Sequence, residues 1–164
     1  MCDAHVEAWR VGYRGIVPDD ILDAEAFEQV RRTGWRSERW RNFERSELLA
    51  AVVDECVVGF AHIGPERSKD SIGERGEVYG FYLHPDAWGS GTASALMQES
   101  EARLRHSGFG EAVLWCLRDN GRGRGFYEKA GWAWSGEEST FELARDRDTR
   151  PVVSLPEVQY RRDL

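Results

Sequence analysis

The chain has 164 residues, 41% hydrophobic and 31% charged, with a net charge of −7. That is room for one globular domain spanning 1–164, and no apolar run approaches the ~18 residues of a membrane span. The acidic balance argues against a general nucleic-acid binder, which gains affinity by neutralising phosphates, and for a cationic partner such as an amine.

Taken in order, Ala4 to about Tyr13 reads as a short helix closed by Gly12, Gly15 and Pro18. Asp19 or Asp20 can cap a second helix through Ile21, Leu22 and Phe27. From Glu28 to Glu47 arginines (Arg31, Arg32, Arg36, Arg39, Arg41, Arg45) alternate with acids around Trp35 and Trp40, a solvated helical face rather than an RNA-binding stripe. Two apolar runs, Leu48–Val53 and Val57–Ile63, flank the polar pair Asp54 and Glu55 as a β-hairpin. After a polar loop from Gly64 to Gly76, Val78–Leu83 is apolar on both faces and predicts a central strand. Thr92 to Ser107 is helical: Ala93, Leu96, Met97 and Leu104 share a face, Glu99–Arg103 and Glu101–Arg105 are i,i+4 pairs, and Gly108 stops it. Ala112–Leu117 predicts a second buried strand and Gly125–Ala130 a short helix. Further strands start at Trp132–Trp134 and run from about Val152 to Arg162. The order is that of a mixed α/β sheet flanked by helices.

The chemistry concentrates in Tyr82 to Met97, YLHPDAWGSGTASALM. A buried strand ends, Pro85 and Asp86 open a turn, and WGSGTA enters an amphipathic helix. Gly89 and Gly91 let backbone amides approach a ligand, and the helix start adds free donors and the positive end of its dipole, which suits a phosphate or pyrophosphate. No Lys-Ser/Thr follows, as a Walker A motif requires, and Ser94 stands where a dinucleotide fingerprint needs a third glycine. Nucleotide hydrolysis and dinucleotide redox chemistry both fall away.

A second block, Leu117 to Trp132, reads LRDNGRGRGFYEKAGW. With WGSGTA before it, the pair resembles the GNAT superfamily of N-acetyltransferases over Val78 to Trp134. HVEAWRVGYRGIVPD (His5 to Asp19) looks like the first helix and substrate-side loop of bacterial members, and EVQYRRDL looks like a last strand. The resemblance implies a single mixed, mostly antiparallel sheet. It implies acetyl-coenzyme A as co-substrate and an amine acceptor, either a small molecule or a peptide, with direct attack in a ternary complex. On this chain the backbone of Gly89, Ser90, Gly91, Thr92 and Ala93 would hold the pyrophosphate. Main-chain groups near Tyr82 and Leu83 would pair with the pantetheine arm, and Asn120 would hydrogen-bond it. Tyr127 would protonate the departing thiolate, and Glu77 would deprotonate the incoming amine. Arg118, Arg122 and Arg124 cluster near the ribose phosphate, and Arg124 is assigned to it.

Each residue has a plainer reading. Tyr127 fits a core aromatic, Glu77 a solvated residue at a strand start, and Asn120 a helix cap. Cys116 reads as an inert core thiol and His84 as an exposed turn residue; no histidine has metal-ligand spacing, and no metal is expected. Trp88 stands where the family commonly has Arg or Gln, and Gly121, Gly123 and Gly125 where helix formers are expected. The family's usual first strand is not seen ahead of the first helix: either the start is placed late or the sheet lacks that strand, and in the second case Leu48–Val53 should form an open edge that invites a homodimer. The start, Met1 to Arg10, lacks a signal-peptide pattern, and three scattered cysteines fit a reducing cytoplasm. A non-catalytic acyl-CoA-binding module is the alternative from another class, and an RNA-associated protein a distant third.

Overall fold

The computed structural model describes residues 2–34, 45–67, 75–143 and 153–164. Trp35, Trp40, Arg36, Arg39 and Arg41 lie outside them, as does 68–74 of the polar loop. The elements run α1 (Cys2–Gly12), α2 (Asp19–Leu22), α3 (Glu25–Gly34), β1 (Glu47–Val53), β2 (Cys56–Pro65), β3 (Arg75–Leu83), α4 (Thr92–His106), β4 (Glu111–Leu117), α5 (Gly121–Lys129), β5 (Ala133–Leu143) and β6 (Val153–Asp163).

These strands form a single mixed sheet of six in the order β1-β2-β3-β4-β6-β5. Only β3 and β4 are parallel, joined by the α4 crossover. The β1–β2 turn places Asp54 (φ 46) and Glu55 (φ 63) in the left-handed region, the hairpin geometry that matches strand twist. β1 is an edge of the described sheet, with Val52 58% and Val53 44% exposed.

α4 and α5 cover one face, where Leu96, Met97 and Leu104 meet Ala112, Leu114 and Tyr160. α1, α2 and α3 cover part of the other, where Trp9, Ile21, Leu22 and Phe27 pack on Leu117, Leu143 and Leu155. Burying side chains of this size stabilises the fold by about 1.5–3 kcal/mol each. The expected second helix is two: α2 follows Pro18 with no side-chain cap and stops at Asp23. Asp19 and Asp23 instead pair with Arg14. Glu101 also departs from expectation. It turns inward, accepts from Trp132 Nε1 at 2.9 Å and pairs with Arg162 rather than Arg105.

One irregularity shapes the site. His62 pairs with Gly80 and Ile63 with Val78, so Tyr79 is an extra residue on β3. Such a bulge reverses the side-chain alternation downstream. Phe81 therefore stacks on Phe126 of α5, while Tyr82 faces Trp9 of α1.

Candidate active site

The parallel pairing of β3 and β4 runs from Arg75↔Glu111 to Val78↔Leu114 and no further. Past that point the strands diverge, and a cavity of about 250 Å³ fills the opening. Val78 to Leu83 and Leu114 to Cys116 form its sides; Tyr127 and Phe126 close it from α5, and Tyr13 from the turn after α1.

At one mouth lies the turn after β3. His84 Nδ1 accepts from the Asp86 amide and starts a 3-10 turn over Pro85–Ala87. Gly89 (φ 77) and Gly91 (φ 89) then take left-handed backbone conformations, which glycine adopts without penalty. Ser90 Oγ donates to the Ala87 carbonyl at 2.7 Å and lies 2.8 Å from Thr92 Oγ1, so the two hydroxyls fix the loop from within. The amides of Gly89, Ser90, Gly91 and Ala93 have no backbone acceptor among the described residues. Free amides at the start of a fifteen-residue helix make an anion cradle. The cradle, where a Cβ on Gly89 or Gly91 would meet nothing within 4 Å, and the cavity behind it fit a pyrophosphate with an extended arm.

Trp88 does not offer its indole N–H to a ligand: Nε1 donates to the Leu83 carbonyl at 3.1 Å. Its ring instead carries the Arg122 guanidinium, 4.1 Å from the centroid. Arg122, not Arg124, reaches the cavity wall. Arg124 turns away, donating to Tyr160 Oη at 3.0 Å and to the Arg118 carbonyl at 3.1 Å. The two arginines are two residues apart on a helix and so face opposite ways.

Asn120 caps α5, its Oδ1 accepting from the Gly123 amide at 3.0 Å, and it also lines the cavity. A Cβ on Gly123 would sit 2.5 Å from Asn120 Nδ2, so that glycine makes room for the cap; Gly121 and Gly125 meet nothing within 4 Å. Tyr127 is 9% exposed. Desolvation holds its hydroxyl well above the usual tyrosine range, with Cys116 and Tyr82 adding to the shift. Burial likewise pushes the Cys116 thiol up to about 12, which leaves it unreactive as a nucleophile.

Glu77 is not a solvated residue at a strand start: it is 3% exposed. Its carboxylate accepts from the Arg67 amide at 2.9 Å and from Arg67 Nη2 at 2.5 Å. It stands in a second depression, a cleft of about 550 Å³ that meets the first cavity at Trp115. Sequence reasoning missed this cleft, whose walls come from β3, β4, β5 and β6 and from Glu66 and Arg67 just past the end of β2. Among the described residues no helix is long and apolar enough to cross a membrane, and no group of three His, Cys, Asp or Glu side chains is placed to hold a metal.

A strand gap with an anion cradle at its mouth and a buried tyrosine inside defines a site for acyl transfer from a phosphate-bearing donor. The model of the acetyltransferase (GNAT) family matches residues 18–132, and the chain belongs to that family. It is similar to an uncharacterized N-acetyltransferase, YuaI, of Bacillus subtilis, 28% identical over all of this chain and 90% of the relative. A spermidine N(1)-acetyltransferase of Thermoplasma acidophilum is 24% identical over 77% of this chain and 76% of its own. Among solved structures, the PaiA N-acetyltransferase of the same organism, in complex with coenzyme A, has a TM-score of 0.67 at 19% identity. That likeness covers 99% of this chain and 90% of that one. The protein is thus an acyl-CoA-dependent acetyltransferase.

Proposed function

We propose that the protein moves the acetyl group of acetyl-coenzyme A to a primary amine by direct attack within a ternary complex. The observation that carries this reading is the cavity threading the β3–β4 gap, with the free amides at one end and the buried Tyr127 inside. The relative named for spermidine acts, by its name, on an amine, which supports the acceptor class.

In this reading the amides of Gly89, Ser90, Gly91 and Ala93 bind the pyrophosphate, while the Thr92 amide is turned to Ser90 Oγ at 3.3 Å. The Arg122 guanidinium, held on Trp88, lies beside the cradle as a further cation. Asn120 Nδ2 donates to the pantetheine arm, since its Oδ1 is already engaged by the cap. Main-chain groups of Tyr82 align the arm along the unpaired edge of β3. The thioester supplies an acyl carbon whose bond to sulfur breaks as the amine nitrogen bonds to it. Tyr127 donates its proton to the leaving sulfur; desolvation keeps that proton on the hydroxyl until the thiolate forms. Glu77, at the junction with the cleft, takes the proton released by the amine through a water, because Arg67 already occupies part of the carboxylate. Much of the acceleration comes from holding the two substrates together in the gap.

A thermal melt with acetyl-coenzyme A at about 100 times its dissociation constant should show ~2.7 kcal/mol of stabilisation, a shift of several degrees. Thiol release with an amine panel should then show turnover. No shift and no thiol release would overturn the reading.

A further inference from the structure

The cleft beside the cavity carries charge that the transfer chemistry leaves unexplained. Glu66, Glu77, Glu137 and Glu157 line it with Arg67 and Arg75. Arg75 holds Glu66 at 2.8 Å and Arg67 holds Glu77 at 2.5 Å. Both cations are thereby engaged, and among the described residues no ion pair is formed by Glu157 or Glu137. Gln159, 2% exposed, also lines the cleft, and among the described residues its Oε1 has no hydrogen-bond partner. A buried amide oxygen without a donor is desolvated at a cost, and that points to a donor from outside the protein. Glu157 and Gln159 are alternate residues of β6, opposite Leu117 and Trp115 of β4, and so share a face of the sheet. Glu157 is half-buried, and desolvation raises its carboxyl above the usual range, opposed by Arg67 and reinforced by Glu77. A neighbouring ammonium would relieve both the burial and the repulsion.

We propose that this cleft is the acceptor site and that it takes an aliphatic diamine or polyamine. One ammonium sits on Glu157 and the Gln159 carbonyl oxygen, while the amine to be acetylated passes Trp115 into the gap. Trp115 belongs to both depressions, and its indole suits the methylene chain between two charges as well as a cation. An acceptor bearing a carboxylate would find both arginines already paired, and a simple monoamine would leave Glu157 and Gln159 without a partner. The inference rests on the acetyltransferase reading for the acceptor's fate, but not for its binding.

The test combines steady-state thiol release with calorimetry on the full chain saturated with coenzyme A. Spermidine, putrescine and n-butylamine are the probes. The wild type should use spermidine or putrescine with a KM about tenfold or more below that of n-butylamine, and Glu157→Gln should raise the diamine KM about tenfold or more. Gln159→Leu should raise it several-fold, and in both variants kcat at saturating amine should fall far less than KM rises. A retained acetyl-coenzyme A melting shift shows that each variant is folded, and Glu137→Gln, at an exposed position, gives a second removal of charge. A wild type that prefers n-butylamine, or a spermidine KM in Glu157→Gln within twofold of the wild type, would overturn the proposal. Calorimetry separates this failure from failure of the transferase reading. Should no amine release thiol, spermidine heat present in the wild type and lost in Glu157→Gln still supports the cleft, and no heat in the wild type overturns it.

Discussion

The turn from β3 into α4 and the turn from β4 into α5 both end a buried strand and start a helix at the cavity wall. They treat their amides in opposite ways. The first turn uses two left-handed glycines and a pair of hydroxyls to shape itself, and among the described residues the amides of Gly89, Ser90, Gly91 and Ala93 stay available. The second brings in the Asn120 side chain, which satisfies the Gly123 amide and starts α5 at a fixed angle. One helix start is built to meet an anion; the other aims Tyr127. Glycine next to a helix start therefore signals a binding site only where no side chain of the protein fills the place of the ligand.

The largest expected effect tests what the second turn aims. Tyr127→Phe keeps the ring contacts with Phe126 and Tyr160 and removes only the hydroxyl. A general acid contributes ~10²–10⁴ in rate, so kcat should fall about 100-fold or more with the acetyl-coenzyme A melting shift retained. Because burial holds the Tyr127 proton well above the ordinary tyrosine range, the wild type should keep its rate up to about pH 9 as far as this group is concerned. A kcat within threefold in the variant would make α5 a binding wall and nothing more.

The first turn is tested by Gly91→Val. At φ 89 an added Cβ would meet nothing within 4 Å, so the cost arises from the left-handed backbone, about 1–2 kcal/mol, and from bulk beside the cradle amides. The acetyl-coenzyme A melting shift should shrink to near zero while the protein still melts cooperatively. An unchanged shift would remove the pyrophosphate from this turn.

How far these features were legible follows from where their residues lie. Both turns are local, and Pro, Gly and Asn speak directly to backbone geometry, so WGSGTA and the Asn120 block could be placed from sequence, as could all six strands. Helix phase was less accessible: nothing in RGRG says which arginine looks inward, and the choice between Arg122 and Arg124 depends on the Tyr160 hydroxyl, 36 residues away from Arg124 in sequence. The break between α2 and α3 comes at Asp23, the C-cap of α2, where Arg14 pairs with both Asp19 and Asp23, a pairing that no periodicity in the sequence announces. The acidic cleft was invisible, because its walls lie on four strands and the segment after β2, and none of its residues forms a motif with its neighbours in sequence.

Asn120 separates the two uses of a helix start within one residue. Asn120→Asp retains an oxygen for the Gly123 amide but loses the Nδ2 donor, so stability should stay within ~0.5 kcal/mol while the KM for acetyl-coenzyme A rises several-fold. Asn120→Ala loses both, adding about 1 kcal/mol of destabilisation, a fall in Tm of roughly 2–4 °C. Equal KM values for wild type and Asn120→Asp would confine Asn120 to capping.

The smallest effect has the opposite sign and isolates the glycines of α5 from one another. Gly125 lies inside α5, and a Cβ there meets nothing within 4 Å. Alanine at such a position gains roughly 0.5–1 kcal/mol, because glycine loses more backbone freedom on folding. Gly125→Ala should thus raise Tm by a few degrees and leave the acetyl-coenzyme A melting shift unchanged. Gly123→Ala gains the same propensity but places its Cβ against Asn120 Nδ2, so the cap is pushed aside and the net change in Tm should be close to zero. A rise of equal size in both variants would mean that the Asn120 cap contributes little, and that the second turn, like the first, is held by its backbone alone.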